Sequence, residues 1–388
     1  MKILNVVGAR PNFMKMAPII EAMNRYPKKM EHLLIHTGQH YDEKMSKAFF
    51  EALDMPKPDI NLEVGSGSHA VQSGRIMMAF EHVCLQEKPD LVIVVGDVNS
   101  TMACTITAKK LGIRVAHVEA GLRSRDMRMP EEINRLCTDV LCDHLFTTDR
   151  FANENLLAEG ISKSRIVFVG NVMIDTLVKH REMAAGLGMH LKLGLERRKY
   201  ATLTLHRPSN VDDRRILEGI LVALHEVSES LPIIFPIHPR TRKMTEEFGL
   251  TGYFHAGAEV KGIWTCEPLG YLEFLHLNMN AALVLTDSGG LQEETTVLDV
   301  PCITMRDNTE RPITCEVGTN TIVGNDPERI LTAVRDVLGG KYKKGQVPEL
   351  WDGRAADRIV DWLGGAYSEA HGRRISHCFE HWASPNSQ

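Results

Sequence analysis

The sequence has few cysteines, no long apolar run and no strong excess of charge of either sign. Its eight cysteines among 388 residues form no Cys-X-X-Cys pair, which is typical of small buried side chains in a reduced compartment. No apolar run approaches the roughly 20 residues of a membrane-spanning helix. The net charge of −5 provides no global attraction to nucleic acid or to an anionic membrane. We therefore expect a cytoplasmic protein with neither of these partners, which holds any anionic substrate in a local cationic site.

Signals for a signal peptide, a dinucleotide and a zinc ion are also missing. The strand-like run Lys2–Val7 is followed by polar loop residues, so the first residues do not resemble a signal peptide. The loop after this run lacks the G-x-G-x-x-G pattern, which argues against a nicotinamide cofactor. The carboxyl-terminal residues His371, His377, Cys378 and His381 fit no closed four-ligand zinc pattern. We expect no cofactor and no metal.

Apolar runs of strand length alternate with segments of helical period. Continuous runs such as LVIVV are typical of strands buried on both faces of a parallel sheet. The stretch Lys179–Lys199, which is helix-like and then basic and glycine-spaced, is predicted to connect the two halves. The predicted strands before it are Ile3–Val7, His32–Thr37, Leu91–Val95, Val115–Val118, Leu145–Thr147 and Ile166–Val169, and those after it are Tyr200–Leu205, Ile233–Ile237, Ala282–Leu285 and Cys302–Met305. Helices are predicted at Met14–Arg25, Ala70–Gln86 and Thr101–Leu111.

This alternation predicts an α/β protein with two Rossmann-like, doubly wound domains that face a central cleft. We place the first domain at residues 1–175 and the second at residues 176–360. A carboxyl-terminal helix and polar tail at residues 361–388 could pack back on the first domain.

Polar side chains follow the predicted strands of the first half, where ligands of doubly wound sheets bind. Arg10 and Lys15 lie near the start of a helix, a position that suits anions. Asp97 and Glu119 end two later strands, and Glu131 opens a helix. Helix capping accounts equally well for Asp97, and the helix dipole for Glu131. Three carboxylates in one cleft could nevertheless divide acid and base roles.

The second half places basic residues and a glycine turn after its strands. His206 follows the first of these strands and His238 the next, although His238 suits an ordinary loop histidine as well. Ser288–Gly290 connects a strand to a helix, so its backbone N–H groups can approach a phosphate. Glu294, further along that helix, can accept hydrogen bonds from a ribose diol, and Arg311 suits a pyrophosphate.

Taken together, these segments resemble the non-hydrolysing UDP-N-acetylglucosamine 2-epimerases. Between Met1 and Gly324 the chain carries, in order, GARPNFMK, TGQH, GDVNST, HVEAGLRS, MPEEINR, LHRPSN, TDSGGLQEE and MRDNTERP. The resemblance implies a glycosyltransferase-B-like fold, a homodimer, a UDP-sugar site between the domains and a role in polysaccharide biosynthesis. It assigns catalysis to Asp97, Glu119, Glu131 and His206. It assigns substrate binding to Arg10, Lys15, Phe274, Ser288, Gly289, Gly290, Glu294 and Arg311.

The resemblance also points to a regulatory site. Gln39, His40 and His238 lie where bacterial members of the family bind a second, activating UDP-sugar. Members with that site carry a second glutamine where this chain has Asp42, and an arginine where it has Val71. We therefore expect no strong allosteric activation.

The chemistry of the implied substrate limits how C2 can be inverted. Its hydrogen is not acidic, whereas C1 carries UDP, a good leaving group. We expect elimination to 2-acetamidoglucal and re-addition of UDP, with proton transfer on both faces of C2. Three alternatives stay open: the same chemistry on UDP-2,3-diacetamido-2,3-dideoxy-glucuronate, a glycosyltransferase of the same fold, and a non-enzymatic sugar-nucleotide sensor.

Overall fold

The amino-terminal half forms a seven-stranded parallel sheet. The computed structural model describes residues 1–26, 30–38, 56–255, 257 and 262–365. The strands are β1 (Lys2–Val7), β2 (Glu31–His36), β3 (Ile60–Asn61), β4 (Leu91–Val95), β5 (Arg114–Ala120), β6 (His144–Thr147) and β7 (Ile166–Phe168), in the order β3-β2-β1-β4-β5-β6-β7. The helices are α1 (Arg10–Asn24), α2 (His69–Glu87), α3 (Asn99–Lys110), α4 (Pro130–Leu141) and α5 (Arg150–Ala158).

The carboxyl-terminal half forms a second parallel sheet of seven strands. These are β8 (Ala201–Thr204), β9 (Ile233–Pro236), β10 (Phe254–His255), β11 (Ile263–Cys266), β12 (Leu283–Thr286), β13 (Cys302–Thr304) and β14 (Asn320–Ile322), in the order β10-β11-β9-β8-β12-β13-β14. Helices α6 (Val172–Ala185) and α7 (Met189–Lys192) precede this sheet. Its own helices are α8 (Pro208–Val211), α9 (Arg214–Ser228), α10 (Pro239–Glu247), α11 (Tyr271–Asn280), α12 (Gly289–Leu298), α13 (Pro312–Glu316) and α14 (Pro327–Leu338).

Strand β4 illustrates why continuous apolar runs become central strands. All five of its residues are buried. Leu91, Ile93 and Val95 join one apolar cluster, whereas Val92 and Val94 join the cluster on the opposite face. Successive strand residues point to opposite faces, so a strand covered by helices on both sides needs apolar residues at every position. The predicted α/β class with two doubly wound sheets is therefore confirmed.

The predicted and observed elements differ mainly at short strands and at helix starts. The predicted set lacks β3, β10, β11 and β14, none of which exceeds four residues. Helix α1 begins at Arg10, earlier than expected, because Pro11 occupies its first turn, where the missing N–H costs nothing. The predicted connector begins inside α6, so this part of it is a regular helix.

Two helical segments join the halves of the molecule. Helix α6 packs against α1 on one side and against α11 and α12 on the other. Residues 355–365 are helical, and their apolar side chains from Ala355 to Leu363 belong to the core that β1 and α1 build. Part of this helix precedes the expected boundary at residue 360. In the part of the chain that the structure describes, no helix is long and apolar enough to cross a membrane.

Candidate active site

The candidate site residues lie at the switch points of the two sheets. In the first sheet the order of the strands reverses between β1 and β4, and in the second between β8 and β12. Crevices at the carboxyl ends of such strand pairs are the usual ligand sites of doubly wound folds. The loops and helix starts that follow these four strands carry Arg10, Asp97, His206 and Ser288–Gly290.

Glu119 has an unusual backbone at the end of β5. Its φ is +72°, and the pairing of β5 with β6 shifts register between Val118 and Ala120. A bulge of this kind redirects a side chain, and a non-glycine residue at positive φ is uncommon and concentrated at functional sites. The carboxylate is 4% exposed and accepts hydrogen bonds from Lys15 Nζ and, at 2.7 Å, from Arg311 Nη2.

Arg311 connects the amino-terminal and carboxyl-terminal sheets. It precedes α13 and is buried, yet its guanidinium contacts three carboxylates. Besides Glu119, these are Glu293 Oε1, 2.8 Å from Nε, and Glu310 Oε1, 2.5 Å from Nη1. Arg306 also donates to Glu310, at 2.8 Å. Removing one of these carboxylates would leave a buried charge without its partner, which destabilises the folded protein.

The protonation of these carboxylates depends on their share of the cations. Burial alone would raise the pKa of Glu119, but Lys15 and Arg311 hold that pKa below its usual value. Burial would likewise raise the pKa of Glu310, but Arg311 and Arg306 hold it well below its usual value. Burial raises the pKa of Glu293 to about 7, and the neighbouring charge of Glu119 contributes to this increase despite Arg311. Near neutral pH, Glu293 can therefore hold a proton beside an ionised Glu119.

Asp97 belongs to an adjoining network around Arg135. Arg135 Nη1 lies 2.5 Å from Asp97 Oδ2, and its Nη2 lies 2.7 Å from Glu132 Oε2. Glu132 is buried and also accepts from the backbone N–H groups of Ser124 and Arg125. The role of Glu132 is therefore to position the loop that contains Ser124 and Arg125. Asp97 keeps 29% of its side chain exposed, so it is accessible to a ligand in the crevice.

Glu131, the residue before Glu132, has a different environment. It lies in the first turn of α4 and is half-buried. No hydrogen bond or ion pair joins its side chain to another residue of the described ranges.

His206 is paired with a buried aspartate in the carboxyl-terminal half. Its Nδ1 lies 2.8 Å from Asp287 Oδ1, and Asp287 is fully buried. Asp287 Oδ2 accepts from the backbone N–H groups of His206 and Arg207 at 2.8 and 2.7 Å. The His238 ring lies 5.7 Å from that of His206, and His238 caps α10 by accepting from the N–H of Arg240.

The glycine turn expected to bind phosphate lies beside Arg311. Ser288 precedes α12, and a Cβ at Gly289 would lie 2.6 Å from Arg311 Nη1. Nothing lies within 4 Å of the corresponding position at Gly290. A side chain at the first glycine would therefore displace the Arg311 guanidinium, and the second glycine leaves open space beside the turn.

Glu294 and Phe274 lie next to this turn. Burial raises the pKa of Glu294 to about 7. A hydrogen bond with Tyr271 lowers this pKa, and the neighbouring charge of Glu293 raises it. Phe274, on α11, is half-buried and packs in an apolar cluster that includes Leu291 of α12.

The remaining expected site residues are placed as follows. Arg10 is exposed in the first turn of α1. Gln39 and His40 lie outside the described residues, as do Asp42 and the carboxyl-terminal histidines. Within the described ranges, no cluster of three or more His, Cys, Asp or Glu side chains is arranged to hold a metal ion.

The comparison with known proteins identifies the family. A family model described as UDP-N-acetylglucosamine 2-epimerase matches residues 21–364. The chain belongs to this family. The resemblance inferred from the sequence motifs is thereby confirmed.

Relatives of known name or structure cover almost the whole chain. A UDP-N-acetylglucosamine 2-epimerase of Methanococcus maripaludis is 46% identical over 94% of this chain and 98% of its own length. A UDP-2,3-diacetamido-2,3-dideoxy-D-glucuronate 2-epimerase of Pseudomonas aeruginosa is 42% identical over 94% and 99%. The crystal structure of a Methanocaldococcus jannaschii UDP-GlcNAc 2-epimerase in complex with UDP-GlcNAc and UDP matches with a TM-score of 0.85, at 44% identity over 94% and 99%. The expected glycosyltransferase-B-like fold is confirmed.

For a member of this family, the structure connects some expected residues directly and adds others. Lys15, Glu119 and Arg311 form one hydrogen-bonded group, although they come from three distant segments. Sequence reasoning assigned no role to Glu293, Glu310, Arg135 or Asp287. All four are buried partners of expected site residues. The only available signal was their position inside the family motifs.

Proposed function

We propose that the chain converts UDP-N-acetylglucosamine to UDP-N-acetylmannosamine by inverting C2, in the crevice between the two sheets. The observation that carries this proposal is the hydrogen bond from Arg311 to Glu119 across the crevice. It places a candidate proton acceptor, Glu119, beside a residue that can bind the diphosphate of the substrate, Arg311. The 46% identity to the Methanococcus maripaludis enzyme of that name supports the substrate. The proposed domains are residues 1–175 and 176–360. The helix at 355–365 packs in the core of the first domain, although it begins before the proposed boundary at residue 360.

The proposed reaction begins with loss of UDP. The C1–O bond breaks and its electron pair leaves with the diphosphate, while the C2 proton passes to a carboxylate and leaves 2-acetamidoglucal. UDP then adds again at C1, and a proton is delivered to the opposite face of C2. Asp97, Glu119 and Glu131 are the candidates for these transfers. Arg311, Lys15, His206 and the Ser288 turn are the candidates for stabilising the departing charge.

Substrate binding would change the proton affinity of Glu119. A diphosphate is a strong acceptor for guanidinium and ammonium groups, so it competes with Glu119 for Arg311 and Lys15. Because these cations hold the pKa of Glu119 down, their partial transfer to the substrate makes Glu119 more basic when the sugar is present.

Turnover in D₂O tests this proposal. We expect UDP-N-acetylglucosamine to yield the manno isomer with one deuterium at C2, detected by NMR and mass spectrometry. Glu119→Gln should lower kcat by about 10²- to 10⁴-fold, which is the usual contribution of acid–base catalysis. A useful control is Glu316→Gln, which changes an exposed glutamate paired with Arg150. Epimerised product without deuterium would contradict the elimination scheme.

The Pseudomonas aeruginosa relative makes a second substrate worth testing. It is a UDP-2,3-diacetamido-2,3-dideoxy-D-glucuronate 2-epimerase with 42% identity to this chain. Its substrate has a carboxylate that UDP-N-acetylglucosamine lacks. The kcat/KM values for the two sugars, measured side by side, decide between them.

We also propose that the chain is a homodimer that associates through helices α2 and α4. Val71, Met78 and Leu85 are exposed on one face of α2 at intervals of seven residues, close to two helical turns. Helix α3 lies between α2 and α4, and α4 carries the exposed apolar residues Ile133, Val140 and Leu141. Apolar side chains exposed on two helices that flank a common third helix are typical of a subunit interface.

A further inference from the structure

The contact between His206 and Asp287 constrains the protonation of the histidine. Asp287 is fully buried, with Oδ1 2.8 Å from His206 Nδ1. Its other oxygen accepts from the backbone N–H groups of His206 and Arg207. One carboxylate therefore determines both the position of the loop and the environment of one ring nitrogen.

The charge of Asp287 decides which ring nitrogen carries the proton. Burial alone would raise the pKa of Asp287, but hydrogen bonds from His206 and Arg207 lower it below its usual value. An ionised carboxylate can only accept hydrogen bonds. Asp287 Oδ1 has no other hydrogen-bond partner among the described residues, so the tautomer that places a proton on Nδ1 of His206, 2.8 Å away, is the favoured one. In the neutral ring, Nε2 is then the nitrogen without a proton, and it is the nitrogen that remains for a ligand.

The other charged and titratable groups near the ring do not reverse this assignment. Burial lowers the pKa of His238, and the neighbouring His206 lowers it further. Its Nδ1 accepts from the backbone N–H of Arg240, so that nitrogen is unprotonated. The guanidinium of Arg240 is paired with Asp212. Neither side chain competes with Asp287 for the Nδ1 proton of His206.

We propose that Asp287 is a positioning residue that holds His206 in the Nδ1-protonated form and directs Nε2 toward the diphosphate of the substrate. Protonated at both nitrogens, the ring donates from Nε2 to the departing phosphate oxygen. Deprotonated, it keeps the Nδ1 proton and is ready to be protonated again. The assignment of the diphosphate as the partner of Nε2 rests on the proposed function, whereas the assignment of the tautomer does not.

The tautomer can be measured without activity. In protein labelled with ¹⁵N-histidine, long-range ¹H–¹⁵N spectra distinguish protonated from unprotonated ring nitrogens, and His206→Asn identifies the His206 signals by their loss. We expect the proton on Nδ1 in the wild-type protein at a pH where the ring is neutral. In Asp287→Asn the amide oxygen can still accept from the two backbone N–H groups, while the amide nitrogen faces Nδ1 and moves the ring proton to Nε2. A wild-type ring protonated at Nε2 overturns the proposal.

A double-mutant cycle tests whether Asp287 acts through His206. Asp287→Asn should lower kcat by at least about tenfold, because an imidazole in the wrong tautomer is a poor proton donor and acceptor. In a His206→Asn background the same change should alter kcat less than about twofold. Equal losses in both backgrounds overturn the proposal, because they mean that Asp287 acts only as a structural anchor.

Asp213→Asn is the matched control for the cycle. Asp213 also accepts from two backbone N–H groups at a helix start, but the exposed capping contacts involve Arg215 and Ile216 rather than a histidine. It should leave kcat unchanged. A wild-type protein that turns over no UDP-sugar would contradict the proposed function and leave the tautomer measurement intact as the test of Asp287.

Discussion

At the scale of single residues, Glu293 is the clearest case in which position changes the chemistry of a side chain. It is 1% exposed, it accepts from Asn171 Nδ2 at 2.9 Å, and it shares Arg311 with Glu119. Two carboxylates beside one guanidinium cannot both ionise at the same cost. Burial raises the pKa of Glu293 to about 7, and the charge of Glu119 adds to this rise, because Arg311 offsets the two effects only in part.

Glu293→Gln should therefore change how stability depends on pH. In the wild type the folded pKa lies above the unfolded one, so this group's contribution is present below about pH 4.5 and is lost as pH rises through 7. Glutamine has no such loss. The unfolding free energy of the variant minus that of the wild type should increase by up to about 3 kcal/mol between pH 4.5 and 7.5.

Urea unfolding of both proteins across this pH range measures the difference. Glu316→Gln, at an exposed position, is the matched control for replacing a glutamate by glutamine. A constant difference for Glu293→Gln would mean that the buried carboxyl ionises with its ordinary pKa.

At the scale of elements, the carboxyl-terminal helix depends on a close backbone approach. Gly170 has φ +90°, and a Cβ there would lie 2.1 Å from the carbonyl oxygen of Leu350. Trp351 Nε1 donates to Thr148 O at 2.9 Å, and Arg358 Nη1 donates to Val169 O at 3.1 Å. The chain can return to the first core only where the glycine leaves room.

Gly170→Ala should weaken the packing of residues 351–365 against the first core. The added Cβ cannot be relieved by a side-chain rotation because the nearest atom belongs to backbone, and positive φ adds its own cost. We expect a loss of about 2–4 kcal/mol in unfolding free energy and faster amide hydrogen exchange in residues 351–365. Gly186→Ala is the control, since its nearest non-neighbouring atom is 3.7 Å away and its φ is −72°. Unchanged exchange in residues 351–365 of Gly170→Ala would contradict the proposed role of this contact.

The same scale shows what a sequence can and cannot predict. The run LVIVV predicted β4 because a strand that is buried on both faces has an apolar residue at every position. The ends of strands predicted Asp97 and Glu119 because parallel sheets place their carboxyl ends together. The sequence assigned a role to Glu294 and none to Glu293. Successive residues on a helix point in different directions, and only the packing of α12 decides which of the two meets Arg311. The Glu119–Arg311 contact spans 192 residues and has no local signal.

At the scale of the whole molecule, the two halves are joined by polar contacts at the crevice and by α6 and the final helix behind it. The Glu119–Arg311 contact crosses the crevice, and α6 packs on helices of both halves. Polar contacts between halves can be exchanged for contacts with a ligand more readily than packed apolar ones. We therefore expect ligand-dependent motion at the crevice to pivot on α6.

The exposed apolar face of α2 provides the last prediction. Met78 is 63% exposed at its centre, and Met183, on α6 and outside this face, is 58% exposed. Burying a methionine contributes about 1.5–3 kcal/mol, and a symmetric interface uses each residue twice. Met78→Lys should therefore shift the proposed dimer to monomer at micromolar concentration in sedimentation experiments, whereas Met183→Lys should leave the proposed dimer intact. Dissociation by Met183→Lys alone would assign the interface to α6, and a monomeric wild type would remove the dimer itself. Since the lysine at position 78 would lie on α2, away from Glu119 and Arg311, any loss of turnover that accompanies dissociation would show that the crevice depends on the partner subunit for its shape.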